Sequence, residues 1–222
     1  MKKVFFRKIM RIQQGISLAV VIMILLGSAI ARAGKERDGQ GTISVTRVEV
    51  KGVENKQGVV AVAKVMLNES IVVREIKVMK VGDKTVLRFP EYTSKKGTVY
   101  PQIRFLTEEG RNCVLRAIET GKPSQPRVTT VSFRITEWFP LKRAGKRKVN
   151  VEVTFNNAVA ISCGIMEGKR GPWVAWPARA PENRGGPWVK QIYIYDEQLR
   201  KAVDRSLLAK YEAMLQEEGE DW

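Results

Sequence analysis

Val65-Met66-Leu67-Asn68-Glu69-Ser70-Ile71-Val72-Val73-Arg74 and Val153-Thr154-Phe155-Asn156-Asn157-Ala158-Val159-Ala160-Ile161-Ser162 lie 88 residues apart and carry one pattern. Each is an apolar run, a two-residue polar turn and a second apolar run. Asparagine tolerates the positive φ that a tight hairpin turn demands, so Asn68-Glu69 and Asn156-Asn157 both read as turns between antiparallel strands. The first hairpin extends over residues 60–78, the second over residues 149–166.

Working outward, the same landmarks recur on either side of both hairpins. Upstream, Ile43-Ser44-Val45-Thr46-Arg47-Val48-Glu49-Val50 and Val128-Thr129-Thr130-Val131-Ser132-Phe133-Arg134-Ile135 alternate apolar and polar residues, as half-buried strands do. Downstream, Val86-Leu87-Arg88-Phe89-Pro90 and Trp173-Val174-Ala175-Trp176-Pro177 are short apolar strands ending in proline. Polar loops follow at residues 91–98 and 178–186, then further strands at residues 99–106 and 188–195.

A helix closes each unit. Thr107 is a suitable N-cap with Glu108 and Glu109 in the first turn, and Gly121 is placed to end that helix. Asp196 caps the second helix, whose stripe is Leu199, Ala202, Val203, Leu207, Tyr211 and Met214. From Glu212 onward the acidic tail reads as frayed and solvated.

The expected fold class is α+β. Two tandem small domains, each an antiparallel β-sheet with a C-terminal helix, follow an N-terminal hydrophobic helix. The boundaries are a leader at residues 1–33, a linker at 34–41, module one at 42–121, a proline connector at 122–126, module two at 127–216 and an acidic tail at 217–222. The connector, Lys122-Pro123-Ser124-Gln125-Pro126, should be extended and semi-rigid. The competing description is two unrelated strand-rich domains.

Bulk composition bounds the chemistry. The chain of 222 residues has a net charge of +16 and no histidine. Ser-His-Asp and Cys-His catalysis are excluded, as are histidine-containing metal sites. Two cysteines, Cys113 and Cys163, are too few for an all-cysteine zinc site. They stand at non-equivalent places in the two modules, which favours two free thiols over one disulfide. No cofactor and no metal is expected. Nothing in the chain supports catalysis, and paired acids such as Glu108 and Glu109 are explained by helix capping.

The first 33 residues hold Lys2, Lys3, Arg7, Lys8, Arg11 and Arg32 and no acid, which leaves +10 for the remainder. A basic start, the uncharged run Gly15 to Ile30 and small residues at Ala31 and Ala33 have the three-part layout of a secretory signal. The other readings are an uncleaved anchor touching the membrane and a misassigned start on a cytoplasmic protein. Export would place the modules in the periplasm or cell envelope.

The order Val45-Thr46-Arg47-Val48, then Leu67 to Val78, then Phe89-Pro90 with a Lys/Gly loop and a helix, resembles the SpoVG family (stage V sporulation protein G, or septation protein). Module two resembles it through Trp176-Pro177-Ala178-Arg179 and Leu199 to Tyr211. The resemblance implies a small antiparallel sheet with a C-terminal helix that tends to dimerise. It also implies a DNA- and RNA-binding regulator linked to septation and sporulation. Family members are usually single-copy and leaderless. Two copies in one chain imply an intramolecular pseudo-dimer, and the leader leaves open an exported structural or septation protein acting through protein or cell-wall contacts.

A basic body attracts DNA, RNA or another anionic polymer. The densest basic run is Lys142, Arg143, Lys146, Arg147 and Lys148, suited to phosphate contacts. Lys95 and Lys96, and Arg179 and Arg184, come from the post-proline loops, and Arg200, Lys201 and Arg205 from the second helix. Trp173, Trp176 and Trp188 are interleaved with basic residues, the pairing of stacking and charge that single-stranded nucleic acid or sugar surfaces need, with Trp188 the site candidate and core packing the alternative for the others. Gly168-Lys169-Arg170-Gly171 is basic but does not match a Walker phosphate loop.

Overall fold

The computed structural model describes residues 42–56, 58–142, 145–183 and 185–220. The leader, the linker and the last two residues lie outside them. The first half contributes β1 (Val45–Lys56), β2 (Val59–Leu67), β3 (Ile71–Val81), β4 (Lys84–Arg88), β5 (Glu91–Thr93), β6 (Val99–Pro101), β7 (Ile103–Phe105) and helix α1 (Glu108–Thr120). The second repeats the order with β8 (Phe133–Pro140), β9 (Arg147–Phe155), β10 (Val159–Gly168), β11 (Gly171–Ala175), β12 (Ala178–Arg179), β13 (Val189–Lys190), β14 (Ile192–Ile194) and helix α2 (Glu197–Glu220).

The hairpin turns form as the asparagines require. Asn68 and Glu69 have φ of 48° and 56°, and Asn156 and Asn157 have 48° and 51°. Two consecutive left-handed residues make the turn whose twist matches the flanking strands. Both helices start on the expected caps: Gly110 donates to Thr107 Oγ1 at 3.1 Å, and Leu199 donates to Asp196 Oδ1 at 2.7 Å. Gly121 ends α1 at φ 65°, a conformation that costs a residue with a Cβ more than glycine.

Neither sheet is built from one half alone. The first has the order β1-β2-β3-β14, with β4 also on β3; the second has β11-β10-β9-β8, with β7 also on β10. Thus β14 of the second half adds to the first sheet, through Ile192↔Val73 and Ile194↔Ile71. In return β7 of the first half adds to the second, through Phe105↔Val159 and Ile103↔Ile161. The expected tandem arrangement therefore holds in element order but not in sheet composition, and the body forms one compact unit. One hydrophobic cluster joins Leu67, Val73, Ile76, Val114 and Ile118 with Phe155, Ile161, Ile165, Ile192 and Leu207.

The crossovers are made where β3 and β10 change neighbours. β3 pairs with β14 over residues 71–73 and with β4 over residues 77–81. Between them Gln191 O accepts from Arg74 N at 2.7 Å, while Gln191 N donates to Pro177 O. Gln102 does the same for Ser162 N and Pro90 O. Each proline-ended strand is thus followed by a short two-stranded arm, β5–β6 or β12–β13, before the chain enters the other half's sheet. These arms replace the open loops expected at residues 91–98 and 178–186. The expected strands at residues 99–106 and 188–195 are each split in two at Gln102 and Gln191.

Other differences are local. The strand expected at residues 128–135 lies at Phe133–Pro140, so β1 and β8 are in step with the 88-residue spacing of the hairpins. The tail expected to fray from Glu212 continues α2 to Glu220. The proline connector is bonded to β1 rather than spanning freely: Ser124 N donates to Val45 O, Val45 N to Ser124 Oγ, and Ser44 Oγ to Pro126 O. Both cysteines are free, and burial pushes the Cys163 thiol up to about 12.

Candidate nucleic-acid interface

The hairpin turns β8–β9 and β10–β11 lie at one end of the second sheet, because Arg147 pairs with Met166 and Glu167 N donates to Lys146 O at 2.7 Å. Lys142 and Lys146 are exposed there, and so are Lys169 and Arg170 of the neighbouring turn. None of these four makes an ion pair among the described residues. In sequence Lys169 and Arg170 match no phosphate loop; strand register brings them beside the expected basic run. Lys148 is committed to Glu167 at 3.1 Å. Arg143 and Arg184 lie outside the described residues.

Arg147 is not a free basic side chain. Its Nε donates to Asn150 Oδ1 at 2.6 Å and its Nη2 to Cys163 O at 2.9 Å, which lays it across the sheet. A Cβ on Gly164 would stand 2.7 Å from Cζ, Nε and Nη2 alike. Only glycine leaves the guanidinium this space. Burial lowers the Arg147 pKa.

Arg179 is committed to an ion pair between the halves. It meets Glu75 at 2.8 Å and Glu182 at 3.2 Å, and Gln191 Nε2 donates to Glu75 Oε2 at 2.9 Å. Glu75 is the extra residue of a bulge, at φ 58°, where the β2–β3 register shifts. Burial pushes the Glu75 carboxyl up, but the bonds from Arg179 and Gln191 and the guanidinium charge outweigh it and leave the pKa below its ordinary value. A groove runs beside this clasp, lined by Val62, Lys77, Arg88 and Pro90 from the first half and Gln191 and Glu182 from the second. Lys51, Val62, Lys77 and Arg88 are successive cross-strand partners, so they form one row, of which Val62, Lys77 and Arg88 line the groove.

The remaining candidates are dispersed. Lys95 and Lys96 are exposed at the tip of the β5–β6 arm. On α2, Arg200 pairs with Glu197 and Asp204, and Lys201 pairs with Glu197, while Arg205 is exposed. Trp188 is 68% exposed beside β13. Trp176 is part of the packing and donates to Asp204 Oδ1 at 3.2 Å, whereas Trp173 stands half exposed. Sequence reading did not single out Phe139, Tyr92 or Tyr100, which are also exposed; in sequence they look like any strand aromatic.

Among the described residues no group of acids and cysteines could hold a metal ion, and no helix is long and apolar enough to cross a membrane. The apolar run of the leader is outside that statement. No curated protein and no solved structure matches the chain. Residues 43–120, which span β1 through α1, match the SpoVG family model, and the first half of the body is similar to that family.

Proposed function

We propose that this chain is a non-enzymatic, SpoVG-like nucleic-acid-binding protein linked to septation- or sporulation-type processes, with its two halves standing for the two subunits of a dimer. The observation that carries the reading is the convergence of Lys142, Lys146, Lys169 and Arg170 at one end of the second sheet, none of them ion-paired among the described residues. Phosphate contacts of this kind hold a polyanion without specifying its sequence. The family match over residues 43–120 supports the class of partner. The second half is read as a second SpoVG-like module because its elements follow the same order.

Binding of DNA or RNA to the purified chain should weaken steeply with salt, as counterion release requires. Replacing Lys142, Lys146, Lys169 and Arg170 together by glutamine should flatten that slope. No binding at low salt would overturn the reading. The leader favours a second reading, an envelope-associated septation protein acting through protein or cell-wall contacts. Cell fractionation with N-terminal sequencing separates the two, since a shortened product outside the inner membrane would place the protein away from the chromosome.

A further inference from the structure

The face of the second sheet turned away from α2 carries a feature that its counterpart on the first sheet lacks. Phe139, Asn150, Gly164 and Ala175 are successive cross-strand partners and so share one face. Trp173 and Met166 form the next row on the same face, two residues along each strand. Phe139 is 56% exposed and Trp173 50%. They stand on the outer strands β8 and β11, three strand spacings or roughly 14 Å apart across the sheet.

Arg147 lies between them. The equal 2.7 Å distances from a Gly164 Cβ to Cζ, Nε and Nη2 set the guanidinium plane face-on against the sheet. Arg147 is exposed, which leaves its other face open to solvent. Its bonds go to an amide and a carbonyl, and among the described residues no carboxylate pairs with it. The stacked pair Tyr92 and Tyr100, with ring centroids 6.4 Å apart, belongs to the first half's arm. On the first sheet the corresponding row is Lys51, Val62, Lys77 and Arg88, with Val86 in the place of Trp173. The basic turns with Lys142, Lys146, Lys169 and Arg170 stand at the end of the aromatic face.

We infer that this face, Phe139–Arg147–Trp173, is a stacking platform for a single-stranded polynucleotide whose phosphates are held by the basic turns. The inference rests on the nucleic-acid reading above and adds which surface binds and which form of nucleic acid it takes. Flat π-faces and an outward guanidinium plane accept unstacked bases, while a duplex hides its base faces in its own stack. A neutral sugar polymer would stack on the aromatics but leave Arg147 and the four cations without an anion.

The test compares the full chain with Trp173→Ala, Phe139→Ala and Trp173→Phe. The probes are a fluorescein-labelled oligothymidylate, a blunt duplex of the same length and a neutral glucan oligosaccharide. Loss of one stacking partner should weaken oligothymidylate binding about tenfold, leave duplex binding within about twofold, and be largely restored by phenylalanine. Thermal melts show whether each variant is folded; both alanine sites are solvent-facing, and the phenylalanine variant keeps the comparison informative if one is not. Duplex binding as tight as single-strand binding, with Trp173→Ala unchanged, overturns the platform and leaves the salt-dependent reading standing. Binding of the glucan but neither nucleic acid overturns both, as does no binding to any probe.

Discussion

Asn68 and Asn156, 88 residues apart, send their side-chain amides to the same two backbone carbonyls. Asn156 Nδ2 donates to Thr130 O at 2.9 Å and to Thr42 O at 3.2 Å; Asn68 Nδ2 reaches Thr42 O at 3.4 Å and Thr130 O at 3.5 Å. Each asparagine also accepts from the backbone in its own half, Asn68 from Ser44 N and Asn156 from Ser132 N. Thr42 and Thr130 are likewise 88 residues apart. The turn residues that set each hairpin therefore also tie the two halves together, through buried amides.

Asn156→Ala should destabilise the chain by about 2–3 kcal/mol, because it removes the buried amide's bonds with Ser132 N, Thr130 O and Thr42 O and leaves a residue without a capping amide at positive φ. Asn68→Ala should cost less, about 1–2 kcal/mol, since its shared bonds are longer. The double variant should depart from additivity, as the two amides share acceptors. Urea unfolding of the three variants checks this, and two equal effects under about 0.5 kcal/mol would contradict it.

Arg104 of β7 neutralises acids of the other half. Its Nη2 is 2.6 Å from Glu152 Oε2 and 3.9 Å from Glu137 Oε1, and Glu152 is buried. Removing the cation leaves a buried carboxylate beside another acid, so Arg104→Ala should cost about 3 kcal/mol. Glu152→Gln in the same chain should restore a large part of the loss. Thermal unfolding of the single and double variants reads both effects.

Glu75 gives the first sheet a pH dependence. Its pKa is lowered on folding, so the unfolded chain binds the proton more tightly. The clasp's contribution is complete above the ordinary value of 4.5 and is lost as pH falls through the lowered folded value. Because the pair is partly open to solvent, Glu75→Gln should cost only about 1 kcal/mol near neutral pH. The difference between the two proteins should narrow below pH 4.5, as read from urea midpoints across an acid series. A gap that widened in acid would contradict the assignment.

The two thiols should differ in reactivity. Cys163 is buried and its pKa is pushed up to about 12, so almost none is thiolate near neutral pH. Cys113 is only partly buried, with its sulfur 2.9 Å from Ser124 Oγ. Iodoacetamide on the native chain should label Cys113 first, with Cys163 labelled only after denaturation. Peptide mass spectrometry locates the label.

The sequence by itself determined the hairpins, the helix caps and the repeated order of elements. These depend on local chemistry: asparagine at positive φ, a hydroxyl or carboxylate at a helix start, glycine at its end, alternation along a strand. It also determined that the body is basic and that residues 142–148 are its densest positive run. Only the tertiary structure decided which sheet each strand joins. Ile103–Phe105 and Ile192–Ile194 are three residues long, and strands so short carry no mark of the edge they will pair with. Their exchange follows from where Gln102 and Gln191 turn the chain. The fate of individual charges was decided the same way. Arg179 meets an acid of the other half and Arg147 lies on a glycine, whereas Lys169 and Arg170, beside the basic run, make no ion pair among the described residues. A side chain's charge is written in the sequence, but whether it is spent within the fold or offered to a partner depends on neighbours brought together only by folding.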